Sequence, residues 1–96
     1  MIRHTVIFRL KHPRGSDQEK AFLAQARTLA LIPTVRNFEC LRQVSRKNEF
    51  DFGLSMTFES QADYDFYSNH ADHERFVKQH WLPEVESFME IDFVAC

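Results

Sequence analysis

The first ten residues alternate. Ile2, His4, Val6, Phe8 and Leu10 fall on one side of an extended chain, and Arg3, Thr5 and Arg9 fall on the other with Ile7. An apolar row of period two marks a half-buried strand, and His4 is the one polar residue inside that row. Pro13 and Gly15 break it. Ser16, followed three residues later by Glu19, predicts a helix start, because the serine hydroxyl can accept from an orphan amide of the first turn. Phe22, Ala26, Leu29 and Ala30 then recur at helical spacing until Pro33 stops the helix.

A second strand is expected over residues 35–44, with weak alternation, and residues 45–49 form a turn. The third strand is the clearest signal. Phe50, Phe52, Leu54, Met56 and Phe58 point one way while Asp51, Gly53, Ser55 and Thr57 point the other. Ser60, with Asp63 as its partner, caps a second helical region that runs through Tyr64, Phe66 and Tyr67 and breaks near Asn69-His70. A further helical piece carries His73, Phe76, Val77, His80 and Trp81 on one stripe and ends at Pro83. Phe88 to Val94 makes the last strand, with Met89, Ile91 and Phe93 on one side.

The order β-α-β-β-α-β predicts an α+β, ferredoxin-like fold. Its sheet carries helices on one face only. The other face holds Thr5, Ile7, Gly53, Ser55 and Thr57, side chains too small and too little charged for a purely solvated surface. Two copies pairing back to back would cover it, so a homodimer is expected. Composition supports this: ten phenylalanines in 96 residues bring more aromatic area than so small a core requires. No linker or repeat divides the chain, which reads as a single domain over residues 1–96.

Charge narrows the partners. Twelve Lys and Arg stand against fourteen Asp and Glu, with no basic stripe, so nucleic acid is not an expected partner. The longest stretch without a charge or histidine is residues 28–35, far short of the ~18 of a membrane span, so no membrane partner is expected either. No apolar export segment follows Met1, and Cys40 and Cys96 do not make a disulfide framework; the expected location is cytoplasmic. With two glycines, neither a P-loop nor a dinucleotide fingerprint is possible, and no cofactor is expected.

What remains is histidine. Strand parity turns His4 toward the helices, and helical phase turns His73 toward the sheet, so both imidazoles enter one layer. Tyr67 and His70 precede His73 by six and three residues and lie near it if the segment stays helical. Taken singly, each has a bland reading: an imidazole bonded to a backbone carbonyl, a capping His70 beside Asp72, a core tyrosine whose hydroxyl reaches water. Together they ask for several satisfied polar tips inside one thin apolar layer, and a small cavity holding water or a ligand resolves that. His70-x-x-His73 with His4 could supply three nitrogens to a zinc ion. Neither cysteine joins them and the spacing is loose, so an empty or organic-ligand pocket is favoured over a metal. His12 and His80 read as rim residues.

These residues resemble a known family, the stress-responsive dimeric A/B barrel domain. The resemblance rests on Ile2-Arg3-His4-Thr5-Val6-Ile7-Phe8-Arg9-Leu10, on Ile32-Pro33 with Val35, and on Phe58-Glu59-Ser60. It continues in Tyr67-Ser68-Asn69-His70-Ala71-Asp72-His73 and Ile91-Asp92-Phe93. It implies a ferredoxin-like protomer whose sheet pairs with another's to form a dimeric α/β barrel. Most members have no assigned reaction. The similar plant polyketide cyclases fold a linear polyketide into an aromatic acid, and the family pattern there places catalytic groups at the positions of His4, Tyr67 and His73. One departure is plain: the family usually reads His-Pro-x-His, and Ala71 stands here in place of the proline.

The reading is therefore a homodimer binding a small organic ligand between sheet and helices. His4, Tyr67 and His73 are the candidate catalytic residues, and His70, Phe76 and Trp81 the candidate ligand-binding ones. The alternatives are a cyclase-like enzyme closing a ring by an aldol-type step, a cofactor-free monooxygenase-like enzyme, and a purely structural stress protein.

Overall fold

Residues 1–96 are all described by a computed structural model. Strand β1 spans Ile2–Leu10, helix α1 Asp17–Arg27, β2 Arg36–Arg42, β3 Phe52–Phe58, α2 Gln61–Asn69, α3 Ala71–Phe76, α4 Leu82–Glu84 and β4 Val85–Phe93. The strands form one antiparallel sheet in the order β2-β3-β1-β4. That is the ferredoxin-like arrangement the element order predicts. No helix is long and apolar enough to cross a membrane.

One face of the sheet makes the core with the helices. Phe8, Phe22, Ile32, Phe52, Met56 and Phe58 are fully buried there. Each such side chain contributes about 1.5–3 kcal/mol by leaving water. Ala30, expected on the helical stripe, is exposed, because α1 tightens into a 3-10 turn at Thr28–Leu31 and the phase shifts. Of the cap ahead of α1, one half forms: Ser16 Oγ accepts from the Glu19 amide, while the Ser16 amide donates to the Pro13 carbonyl.

Four boundaries differ from the sequence reading: β4 begins at Val85, three residues ahead of the expected Phe88, where Leu10 pairs with Val85 across a register shift, and the other three have local reasons too. Phe50 precedes β3 because Asn48 and Gln43 side chains take its backbone amide and carbonyl, at 2.9 and 2.7 Å. β2 starts with a bulge in which Asn37 adopts φ 53, a left-handed conformation asparagine tolerates, and its side chain donates to Thr57 at 2.8 Å. Pro83 does not end the last helical piece but sits inside its final turn. The residues before it, Val77–Trp81, widen into a π turn in which the Leu82 amide donates to the Val77 carbonyl. That extra residue brings Phe76 and Trp81, five apart, onto one side with ring centroids 6.3 Å apart.

The break between α2 and α3 forms without the proline. His70 is extended (φ −67, ψ 139), its amide donating to the Tyr67 carbonyl and its Nδ1 accepting from the Asp72 amide at 3.1 Å. One residue thus closes one helix with its backbone amide and opens the next with its imidazole.

The other face of the sheet carries no helix. In the β1–β4 register, Ile7 lies opposite Met89, Thr5 opposite Ile91 and Arg3 opposite Phe93. The apolar row of β4 therefore belongs to this open face, beside the small residues Gly53, Ser55 and Thr57 of β3.

Candidate functional site

His4 enters the helix-covered layer from β1, Tyr67 from α2 and His73 from the first turn of α3. His4 and Tyr67 are 5% and 3% exposed. The Tyr67 and His73 rings lie 4.5 Å apart and the His4 and Tyr67 rings 6.1 Å apart, with Phe58 packed against both His4 and Tyr67. Strand parity and helical phase do bring these three together.

Hydrogen bonds fix the ring tautomers. His4 Nδ1 lies 2.6 Å from Asp92 Oδ1 and 2.8 Å from the Tyr64 hydroxyl, which itself donates to Asp92 Oδ2 at 2.9 Å. A carboxylate only accepts, so in the neutral ring the proton is assigned to Nδ1 and Nε2 keeps its lone pair. His73 Nδ1 donates to the Ser68 carbonyl at 3.0 Å, which assigns its Nε2 the same way. No hydrogen bond within the chain engages Tyr67's hydroxyl or either Nε2, and no fully buried side-chain nitrogen or oxygen lacks a partner, so these three tips open on free space.

Electrostatics agree with this assignment. Burial lowers the pKa of His73, and nearby His4 adds to the effect; the Ser68 carbonyl, Glu90 and Glu74 oppose it without reversing it. Burial pushes the Tyr67 hydroxyl well above the ordinary phenol range, with Glu90 adding to the rise. Tyr64 is raised as well, by burial first and then by its hydrogen bond to Asp92. At neutral pH the site holds two protonated phenols and, at His73, a neutral imidazole.

The free space is a cavity of about 240 Å³ lined by 13 residues, of which ten are hydrophobic. The remaining three are His4, His73 and Glu90. Phe76 and Trp81 form part of its wall, and Trp81 is held by Phe8 and by an edge contact with Phe88. Five of the six candidate residues therefore surround one cavity. His70 does not: it is not part of the lining, and its ring packs on Phe66, 5.6 Å away, while it caps α3. No group of His, Cys, Asp and Glu side chains is placed to hold a metal ion. His12 and His80, read as rim residues, both bond Glu84, at 2.8 and 3.2 Å, and tie the end of β1 to α4.

Three participants escaped the sequence reading: Tyr64, Glu90 and Asp92. Tyr64 precedes Tyr67 by one helical turn, a spacing that places both on one face. Glu90 and Asp92 alternate with Met89, Ile91 and Phe93, so assigning that apolar row to the open face sends both carboxylates to the helix side. The register shows this directly, with Asp92 opposite His4 and Glu90 opposite Val6.

Comparison with known proteins places the fold and the family. A curated relative, a stress-response A/B barrel domain-containing protein of Arabidopsis thaliana, is 29% identical over 99% of the chain, which spans 37% of that protein's length. The crystal structure of a Dabb family protein with a ferredoxin-like fold from Mesorhizobium loti is 51% identical, with a TM-score of 0.97 over 99% of this chain and 96% of that one. Two more distant structures share the fold. The hydroxynitrile lyase of Passiflora edulis has a TM-score of 0.85 at 20% identity, covering 99% of this chain and 93% of its own. A dimeric ferredoxin-like protein of unknown function from Thermobifida fusca has 0.81 at 21%, covering 98% and 90%. The model of the stress-responsive A/B barrel domain matches residues 2–95, and the chain belongs to that family.

Proposed function

We propose that the protein is a homodimer, paired through its open sheet face, in which each protomer binds a small organic molecule in the cavity between sheet and helices. The observation that carries the ligand reading is the convergence of three polar tips without protein partners, on His4, Tyr67 and His73, at the wall of a cavity that is apolar but for these and Glu90. A core histidine kept for packing would have its nitrogens satisfied by the protein. An engineered apolar cavity of 150 Å³ takes benzene, so about 240 Å³ suits one substituted ring. The dimer reading is supported by the apolar residues of the open face, Met89, Ile91 and Phe93 being 37–50% exposed in the single chain.

Thermal unfolding with a panel of one-ring aromatic compounds tests the ligand reading. A compound at 100 times its Kd stabilises by about 2.7 kcal/mol, a readily measured rise in Tm. No rise with any compound at millimolar concentration would overturn it. Sedimentation at micromolar protein tests the dimer: a species of twice 11.4 kDa is expected, and a monomer contradicts it.

A second reading, catalysis, is favoured by the neutral His73 and by the His4–Asp92 pair. In it, His73 Nε2 removes a proton alpha to a ketone, the Tyr67 O–H holds the developing enolate oxygen, and His4 orients the chain. The carbanion then attacks a second carbonyl of the same molecule, and the resulting alkoxide takes the proton back from His73. His73→Ala would then cost ~10²–10⁴-fold in rate, the usual worth of a positioned base.

A further inference from the structure

The hydrogen-bonding capacity of the cavity is lopsided. In the neutral rings His4 Nε2 and His73 Nε2 both present lone pairs, because Asp92 and the Ser68 carbonyl hold the ring protons at Nδ1. Glu90, the one charged side chain of the lining, is a third acceptor. Against these stand two neutral donors of the lining, the Tyr67 hydroxyl and the Trp81 indole N–H. No lysine or arginine lines the cavity. An incoming carboxylate would find two neutral donors, no cation, two lone pairs and, at the exposed rim, the like charge of Glu90, so desolvation and repulsion oppose it.

We propose that the occupant is a neutral one-ring organic molecule that brings at least two hydrogen-bond donors, such as a phenol bearing a second hydroxyl, and no carboxylate. The proposal rests on the reading of the cavity as a ligand site and names the chemistry of what enters it. Its donors would satisfy the imidazole lone pairs, and Tyr67 would donate to one ligand oxygen. Selectivity follows from the same inventory. A ligand without donors leaves buried acceptors unpaired, at a cost of roughly tenfold or more in affinity for each.

The test is calorimetric titration at about pH 8, above the ordinary imidazole pKa, with three probes of one shape: 3-hydroxybenzyl alcohol, its doubly O-methylated ether, and 3-hydroxybenzoate. The alcohol is expected to bind, with the ether and the carboxylate each at least roughly tenfold weaker. Glu90→Gln should raise the affinity for 3-hydroxybenzoate relative to the alcohol. Equal or tighter binding of the carboxylate or the ether overturns the proposal and leaves the ligand site standing. Binding of none of the three at millimolar concentration overturns the ligand site itself. Nitrogen-15 spectra of the imidazoles give an independent check: Nε2 of both His4 and His73 should be unprotonated, and a proton on either Nε2 of a neutral ring would overturn the donor argument.

Discussion

The two faces of the sheet use the same alternation and end in opposite states. On the helix-covered face the apolar residues of β1 and β3, from Val6 to Leu10 and from Phe52 to Phe58, are all at most 5% exposed. On the open face Met89 and Phe93 remain about half exposed, and Leu41, on β2 at the other edge of the sheet, is 45% exposed. Each face is marked by what does not belong. The covered face is apolar but holds His4 and Glu90 at a cavity, with Asp92 bonded to His4 behind it. The open face is free of helices but holds an aliphatic and aromatic row that water does not favour. One anomaly points to a ligand inside the chain and the other to a second chain outside it.

This contrast can be broken in four ways. The largest effect is expected from Phe8→Ala, since Phe8 is fully buried against Phe22, Phe52 and Trp81. It should cost about 3–5 kcal/mol in denaturant unfolding. Ile91→Lys, on the open face, should leave the protomer folded and convert the dimer to monomer by sedimentation, because an unpaired charge buried at an interface costs several kcal/mol. A dimer that survives this change would remove the open face from the interface. Tyr67→Phe removes a hydroxyl that no protein group uses. It should barely change Tm, yet weaken a bound ligand by roughly 2–10-fold; a large loss of Tm with unchanged affinity would make the hydroxyl structural.

The smallest effect is on pH dependence. The pKa of His73 is lowered in the folded chain, so between that value and the ordinary imidazole value of about 6.5 the unfolded chain binds more proton. Stability therefore falls as pH drops below about 6.5, until the folded-state pKa is passed. Urea midpoints at descending pH should show that decline in the native protein and less of it in His73→Phe.

Much of the covered face could be read from the sequence because both its patterns are strong. The single polar residue in the β1 row and the helical phase of Tyr67 and His73 were enough to place three side chains in one layer. The fourth strand was harder. Its apolar row is the same whichever face it covers, and only the register with β1, set by cross-strand hydrogen bonds, decides that Ile91 meets Thr5 and Asp92 meets His4. Glu90 and Asp92 were missed for that reason. His70 was grouped with the site by its spacing, yet the helix breaks at that residue and its ring is used as a cap.

The central claim is that a ligand enters the covered face and a partner chain covers the other. Backbone and side-chain NMR of the dimer, titrated with a one-ring phenolic alcohol, tests it most directly. The account predicts saturable shifts at His4, Tyr67, His73 and Trp81, with Ile7, Ile91 and Phe93 unmoved. Shifts confined to Ile7, Ile91 and Phe93, or none at His4, Tyr67 and His73, would contradict it.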